Sequence, residues 1–292
     1  MASTGTVVLD KEIKQQVRDF YDSVGWRQIG EGLYQNARYE DLRPVSREYI
    51  RRCHLRVLRH LPPQGRLLLD AGSGPIQYPE YLEYSRGYER RVCLDISRLA
   101  LVEARKRVGD HGLFIVGDVS RLPFVDEAFD GVVSLHTVHH VAAELQGEAF
   151  DDLHRVQGLD SRAVVVYSWG RNSLLMRLSA WPIQLAEAGI RWITRRRQAT
   201  SAEAKVSASG TYTHHHDQRW IVHKVGGLPG FEIVVWRSVS TAFLRALVHR
   251  RFMGGEFLRL LCWFEDRAPH LMGRFGQYPM IVFGNMVQSW GG

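Results

Sequence analysis

The chain has 292 residues, which suits one large domain with insertions better than two full domains. An apolar fraction of 45% and a charged fraction of 24% describe a globular protein with an ample core and exclude a disordered or fibrous chain. The formal charge of +7 is moderate; with no basic-then-apolar leader, no run of about 18 apolar residues and no paired spacing among Cys53, Cys93 and Cys262, a reduced, cytoplasmic setting is expected.

In chain order, residues 11–22 (KEIKQQVRDFYD) and 45–61 (VSREYIRRCHLRVLRHL) read as helices, the second with an apolar stripe at Ile50, Cys53, Val57 and Leu61. Pro62, Pro63 and Gly65 end this N-terminal helical part, residues 1–61, which is expected to act as a lid. A strand–helix alternation follows in residues 62–169. Apolar runs at 66–70, 91–95, 112–116, 130–135 and 163–169 read as buried parallel strands, with helices at 98–108 and 145–156 between them. Such repeated units predict a parallel sheet covered by helices on both faces. Beyond residue 170 the rhythm changes. A long helix is predicted over 172–197, broken or kinked at Pro182, then a helix at 217–225, a strand at 231–239, a helical block at 241–272 and a last strand at 279–286.

The stretch LLLDAGSGP (67–75) is the most informative. A buried strand ends at Asp70, and Gly72 and Gly74 permit a tight turn and close approach of a ligand, with Ser73 between them. Pro75 can open a following helix. Alone, such a turn is equally a plain strand-to-helix connection. Asp95, however, ends the next strand 21 residues beyond Gly74, where a carboxylate can accept both hydroxyls of a ribose, although a helix cap is its simpler role. Asp118, in GDVSRLPF (117–124), ends the third strand at the same sheet edge. Three aspartates at successive strand ends converge on the crevice where open α/β sheets bind ligands.

DAGSGP, LDIS, GDVSRLPF and FDGVVSLHTVHHV together resemble the successive motifs of class I S-adenosylmethionine (SAM)-dependent methyltransferases, closest to the small-molecule group that includes quinone-biosynthesis enzymes. The resemblance is firm over about residues 45–170 and looser in the last two strands. It implies an α/β, Rossmann-like, seven-stranded, mostly parallel sheet in the order 3-2-1-4-5-7-6 with the last strand antiparallel. It also implies SAM as cofactor. By position, Asp70, Gly72, Ser73 and Gly74 would hold the methionine portion, Asp95 the ribose hydroxyls and Ile96 the adenine face. Asp118 would take the adenine amino group beside the Val119 backbone, and the Leu135–His136 backbone would line the methyl-transfer side. The chain departs from the family at Ile76, where a third glycine is usual. A nicotinamide dehydrogenase fits poorly, because Pro75 and Ile76 stand where its pyrophosphate needs a glycine.

Methyl transfer requires an aligned nucleophile and, for O–H or C–H acceptors, a proton acceptor. His139 and His140 follow the fourth strand at the mouth of this site, and histidine suits such proton transfer, although a general role in shaping the site is the simpler one. Tyr21 in DFYDSVGW resembles the lid aromatic of such enzymes, with packing as its alternative role. In YTHHHD (212–217), His215 faces away from His214 and His216 if the run is extended. Acceptor binding or base, metal ligation, and a plain loop capped by Asp217 all remain open there. No metal is expected, since adjacent histidines lack a second cluster.

The segments 170–217 and 241–278 are expected to cap the acceptor pocket and, being rich in bulky apolar groups, to favour a largely apolar or aromatic small-molecule acceptor. Residues 170–197 hold Arg171, Arg177, Arg191, Arg195, Arg196 and Arg197 against Glu187 alone, so 172–197 could also rest on an anionic membrane surface. A nucleic-acid partner is not expected. SLHTVHHV lacks the Asn/Asp-Pro-Pro-aromatic run that grips a flipped base, and no RNA-binding module is appended. Nucleic-acid methylation and a non-catalytic partner protein of the same fold stand as the rival readings.

Overall fold

The computed structural model describes residues 4–26, 28–30, 33, 34, 40–197 and 211–285. Its frame is a seven-stranded sheet: β1 (Gly65–Ala71), β2 (Tyr88–Asp95), β3 (Gly112–Val116), β4 (Gly131–Leu135), β5 (Ala163–Val166), β6 (Glu232–Arg237) and β7 (Tyr278–Phe283). The order is 3-2-1-4-5-7-6, and β7 runs antiparallel to both its neighbours while all other pairings are parallel. This is the expected topology.

The strands form where apolar runs leave no polar face. Leu68, Leu69, Val132, Val133, Ala163, Val164, Val165 and Val166 are all buried, because helices cover both sides of the sheet. One face packs against α4 (Gln146–Arg155) and α6 (Gln218–Val225), through Phe150, Leu153, Ile221 and Val225. The other packs against α3 (Arg98–Val108) and the tyrosines Tyr81, Tyr84 and Tyr88. Ser97 caps α3 by accepting from the Ala100 amide, and Asp217 caps α6 by accepting from that of Trp220.

Three elements differ from the sequence-based expectation. No α-helix follows the glycine turn, so Pro75 opens none; residues Pro79–Ser85 form a 3-10 helix instead. Tyr81 and Tyr84, three residues apart on its inner side, pack against the sheet face. Helix α5 (Leu174–Arg197) runs through Pro182 without interruption. The helical block after β6 is three helices, α7 (Thr241–Leu247), α8 (Gly254–Arg267) and α9 (Pro269–Phe275). Met253, in left-handed backbone, and Pro269 punctuate them.

A buried polar knot fixes α8. Glu265 accepts from Tyr49 Oη (2.7 Å) and Arg56 Nη1 (2.8 Å) on the α2 (Pro44–Leu55) side, and from the Ser238 amide (2.8 Å) beyond β6. Every charge in it is paired, as a buried carboxylate requires. At the N-terminus, α1 (Thr4–Phe20) continues into a π-helical turn at Tyr21–Gly25.

Candidate cofactor and acceptor site

A cavity of about 460 Å³ opens at the carboxyl ends of β1 to β4, where the strand order reverses between β1 and β4. Every residue assigned above to the cofactor borders it, as do Tyr21, His139 and His140. His215 does not. It packs on Gly170, stacks on His139 at 5.0 Å and points its Nδ1 to the Ser168 carbonyl (2.9 Å).

The turn after β1 is built by its backbone. Gly72 lies at φ +79° with no room for a side chain, since a Cβ would stand 2.2 Å from Thr137 Oγ1. The Gly72 and Ser73 amides both donate to the Leu94 carbonyl, which ties the turn to β2. Gly74, at φ +55°, donates its amide to Asp95 Oδ2 (2.8 Å), while Asp95 Oδ1 accepts from the Ser97 amide (2.8 Å). The departure at Ile76 has a clear outcome. This isoleucine itself adopts the left-handed conformation, at φ +53°, and is completely buried. A β-branched residue is strained there.

The carboxylates are prepared differently. Asp70 Oδ2 is held by the buried guanidinium of Arg91, from the neighbouring strand, and Oδ1 is buried with no hydrogen-bond donor among the described residues. Burial pushes the Asp95 carboxyl up to about 6, against the two amides that favour its ionised form. Asp118 accepts from the Ser120 amide and from Lys14 Nζ (2.5 Å). An unpaired acceptor at Asp70 suits an ammonium group, and a glycine turn open to the cavity suits a ligand pressed against backbone. The donor set therefore fits SAM.

The segment 14–26 closes the cavity by touching the loop after each of four strands. Trp26 packs on Gly74 after β1, and Ser97 Oγ after β2 donates to Asp22. Lys14 pairs with Asp118 after β3, and Tyr21 Oη meets His140 Nε2 (3.0 Å) after β4. Tyr21 also stacks on Trp26 at 4.8 Å. His140 Nδ1 lies 2.8 Å from the Tyr212 carbonyl and must donate to it, which leaves Nε2 as the acceptor for the tyrosine hydroxyl. Burial lowers the pKa of His139 well below the usual range, that of His140 to about 4 and that of His136 to about 3, so all three are neutral at pH 7.

The YTHHHD run is strapped beneath the β4 loop. The His214 amide donates to the His139 carbonyl (2.8 Å), the His216 amide to Tyr167 Oη (3.0 Å), and the His216 ring stacks on Trp220 at 3.7 Å. Of the segments expected to cap the acceptor pocket, Thr211, Thr213 and Tyr278 border the cavity among the described residues, and none of the described side chains of α5 does. Residues 198–210 lie outside the described part, as do the side chains of Arg191, Trp192 and Arg195 to Arg197. Sequence reasoning missed Lys14, Trp26, Glu40, Arg237 and Tyr278, all of which border the cavity. Only Trp26, next to the aromatic Tyr21 motif, carried any local signal.

The fold, and the residues gathered at its cavity, are those that the resemblance to SAM-dependent methyltransferases implied. Residues 69–162 match the family of methyltransferase domains. The chain is 26% identical over 228 residues to phthiotriol/phenolphthiotriol dimycocerosates methyltransferase 1 of Mycobacterium ulcerans, covering 76% of each protein. It is 28% identical over 196 residues to demethylmenaquinone methyltransferase of Thermobifida fusca, covering 64% of this chain and 77% of that protein. A methyltransferase of Encephalitozoon cuniculi matches at 36% over 76 residues, 26% of this chain and only 35% of that protein's length. Among solved structures, geranyl diphosphate C-methyltransferase from Streptomyces coelicolor, with S-adenosylhomocysteine bound, superimposes with a TM-score of 0.54 at 14% identity. It covers 94% of this chain and 98% of that one, a likeness of fold.

Proposed function

We propose that this protein transfers the methyl group of SAM to O, C or N of a largely apolar or aromatic small molecule. The observation that carries the reading is one cavity bordered both by the cofactor carboxylates and by a wall of aromatic rings, Tyr21, Trp26, Tyr78, Tyr81 and Tyr278. Bound SAM supplies an electrophilic methyl group on a sulfonium.

The chain's own part is alignment and proton handling. Neutral imidazoles at 136, 139 and 140 place no positive charge against a sulfonium, and a neutral His140 can take a proton. Its Nε2 is reached through the Tyr21 hydroxyl, so a proton released beside Tyr21 has a two-step path to the imidazole. Isothermal calorimetry with S-adenosylhomocysteine tests the reading, with micromolar binding expected; absence of binding at high micromolar concentration would remove it.

We also propose that α5 touches an anionic membrane surface. Leu178 and Trp181 are 72% and 71% exposed, beside Arg177 and the basic stretch that follows. No helix of the described residues is long and apolar enough to cross a membrane, so this contact would be peripheral.

A further inference from the structure

The cavity wall also holds a polar pair, Glu40 and Arg237, outside the residues assigned to the methyl donor. Arg237, the last residue of β6, is buried with its guanidinium carbon 4.7 Å from the Tyr278 ring and 5.2 Å from that of Trp236. Its Nη1 donates to Glu40 Oε1 (3.0 Å). The pair is incomplete on both sides. Glu40 Oε2 is buried without a donor, its nearest candidate being His54 Nε2 at 3.8 Å, and Arg237 Nε is buried without an acceptor. Burial alone would raise the Glu40 carboxyl, but Arg237 and then His54 outweigh it and hold it at about 2, so it is ionised. Next to the pair, His136 sits in left-handed backbone (φ +55°) with its ring edge-on to Trp236 (4.7 Å) and Tyr278 (5.4 Å).

A buried acceptor and a buried donor left unsatisfied both favour a ligand that supplies the missing partners. The charges of Glu40 and Arg237 cancel, so the spot does not call for an ion. It presents an acceptor and a donor side by side, which suits a neutral group that both gives and receives a hydrogen bond. The rings of His136, Tyr78, Tyr81 and Tyr278 border the same cavity, and such a lining suits an aromatic ring.

We propose that Glu40 and Arg237 form the specificity subsite for the acceptor, binding the hydroxyl of a neutral hydroxylated aromatic ring that packs against His136 and Tyr278. Glu40 accepts from the ligand hydroxyl and Arg237 donates to its oxygen. This rests on the methyltransferase reading, because the subsite shares the cofactor cavity.

The test uses the full chain saturated with S-adenosylhomocysteine and titrated with 2-naphthol or with naphthalene, followed by fluorescence. The hydroxylated ring should bind at least ten-fold more tightly. Glu40→Gln should cut that preference at least five-fold. Because it leaves Arg237 without its counter-charge, the double variant Glu40→Gln/Arg237→Met, which removes both charges, is measured beside it. His136→Asn keeps a residue tolerant of positive φ and should weaken both ligands alike. S-adenosylhomocysteine affinity within three-fold of wild type certifies each variant's fold. Equal binding of the two ligands by the wild type, no binding of either, or an unchanged preference in a folded Glu40 variant overturns the subsite. If S-adenosylhomocysteine itself does not bind the wild type, the methyltransferase reading falls instead.

Discussion

Tyr21 and His140, 119 residues apart in the chain, share a hydrogen bond of 3.0 Å that fastens the N-terminal segment to the loop after β4. The imidazole is committed to it, because its other nitrogen serves the Tyr212 carbonyl. Tyr21→Phe keeps the stacking on Trp26 and removes the hydroxyl. A single such bond contributes about 0.5–1.5 kcal/mol, so S-adenosylhomocysteine affinity should fall about 2- to 10-fold by calorimetry. The turnover of a labelled methyl group should fall further, since the proposed proton path to His140 also runs through that hydroxyl.

Asp95 makes cofactor binding sensitive to pH. Its carboxyl titrates near 6, above the ordinary 3.8, because burial disfavours the charge. In the free protein its contribution to stability is complete below the unfolded value and is lost as pH rises through about 6. If Asp95 takes the ribose hydroxyls, as the resemblance implies, they donate to its ionised form and reverse that penalty. S-adenosylhomocysteine affinity should therefore drop up to about ten-fold per pH unit below 6, and Asp95→Asn should bind weakly with no such dependence.

Ile76→Gly separates strain from packing. Relieving a left-handed isoleucine returns about 1–2 kcal/mol. Deleting a fully buried isoleucine side chain costs about 3–5 kcal/mol, with roughly another 0.5–1 for the flexibility of glycine. Packing wins, and the variant should lose about 1.5–5 kcal/mol in denaturant unfolding. A raised midpoint would show that strain dominates.

Lys14 holds α1 over the loop after β3 through Asp118. Lys14→Met should speed S-adenosylhomocysteine dissociation several-fold in stopped-flow measurements. The wild-type rate should rise with added salt, because the pair is partly exposed, and the variant's should not. Equal salt dependence in both proteins would contradict a lid role for the pair.

If α5 rests on membranes, the chain should sediment with vesicles containing phosphatidylglycerol and less with pure phosphatidylcholine. The double variant Leu178→Ser/Trp181→Ser should lose most of that binding while keeping its affinity for S-adenosylhomocysteine, since neither residue borders the cavity.

The sequence by itself determined the strands and the edge at which their aspartates meet, and its resemblance to a known family implied the strand order. Apolar runs without alternation specify strands buried on both faces, and their ends bring Asp70, Asp95 and Asp118 to one edge whatever the side chains do later. Such information is local, since each motif is a strand and the few residues after it. Only the tertiary structure decided that Arg91 fixes Asp70, that segment 14–26 bridges four loops, and that His215 faces away from the cavity. The Glu40–Arg237 pair joins residues 197 positions apart, and neither lies in a motif. A buried ion pair at a cavity wall depends on how distant elements pack, and hydrophobic periodicity records burial without recording the partner.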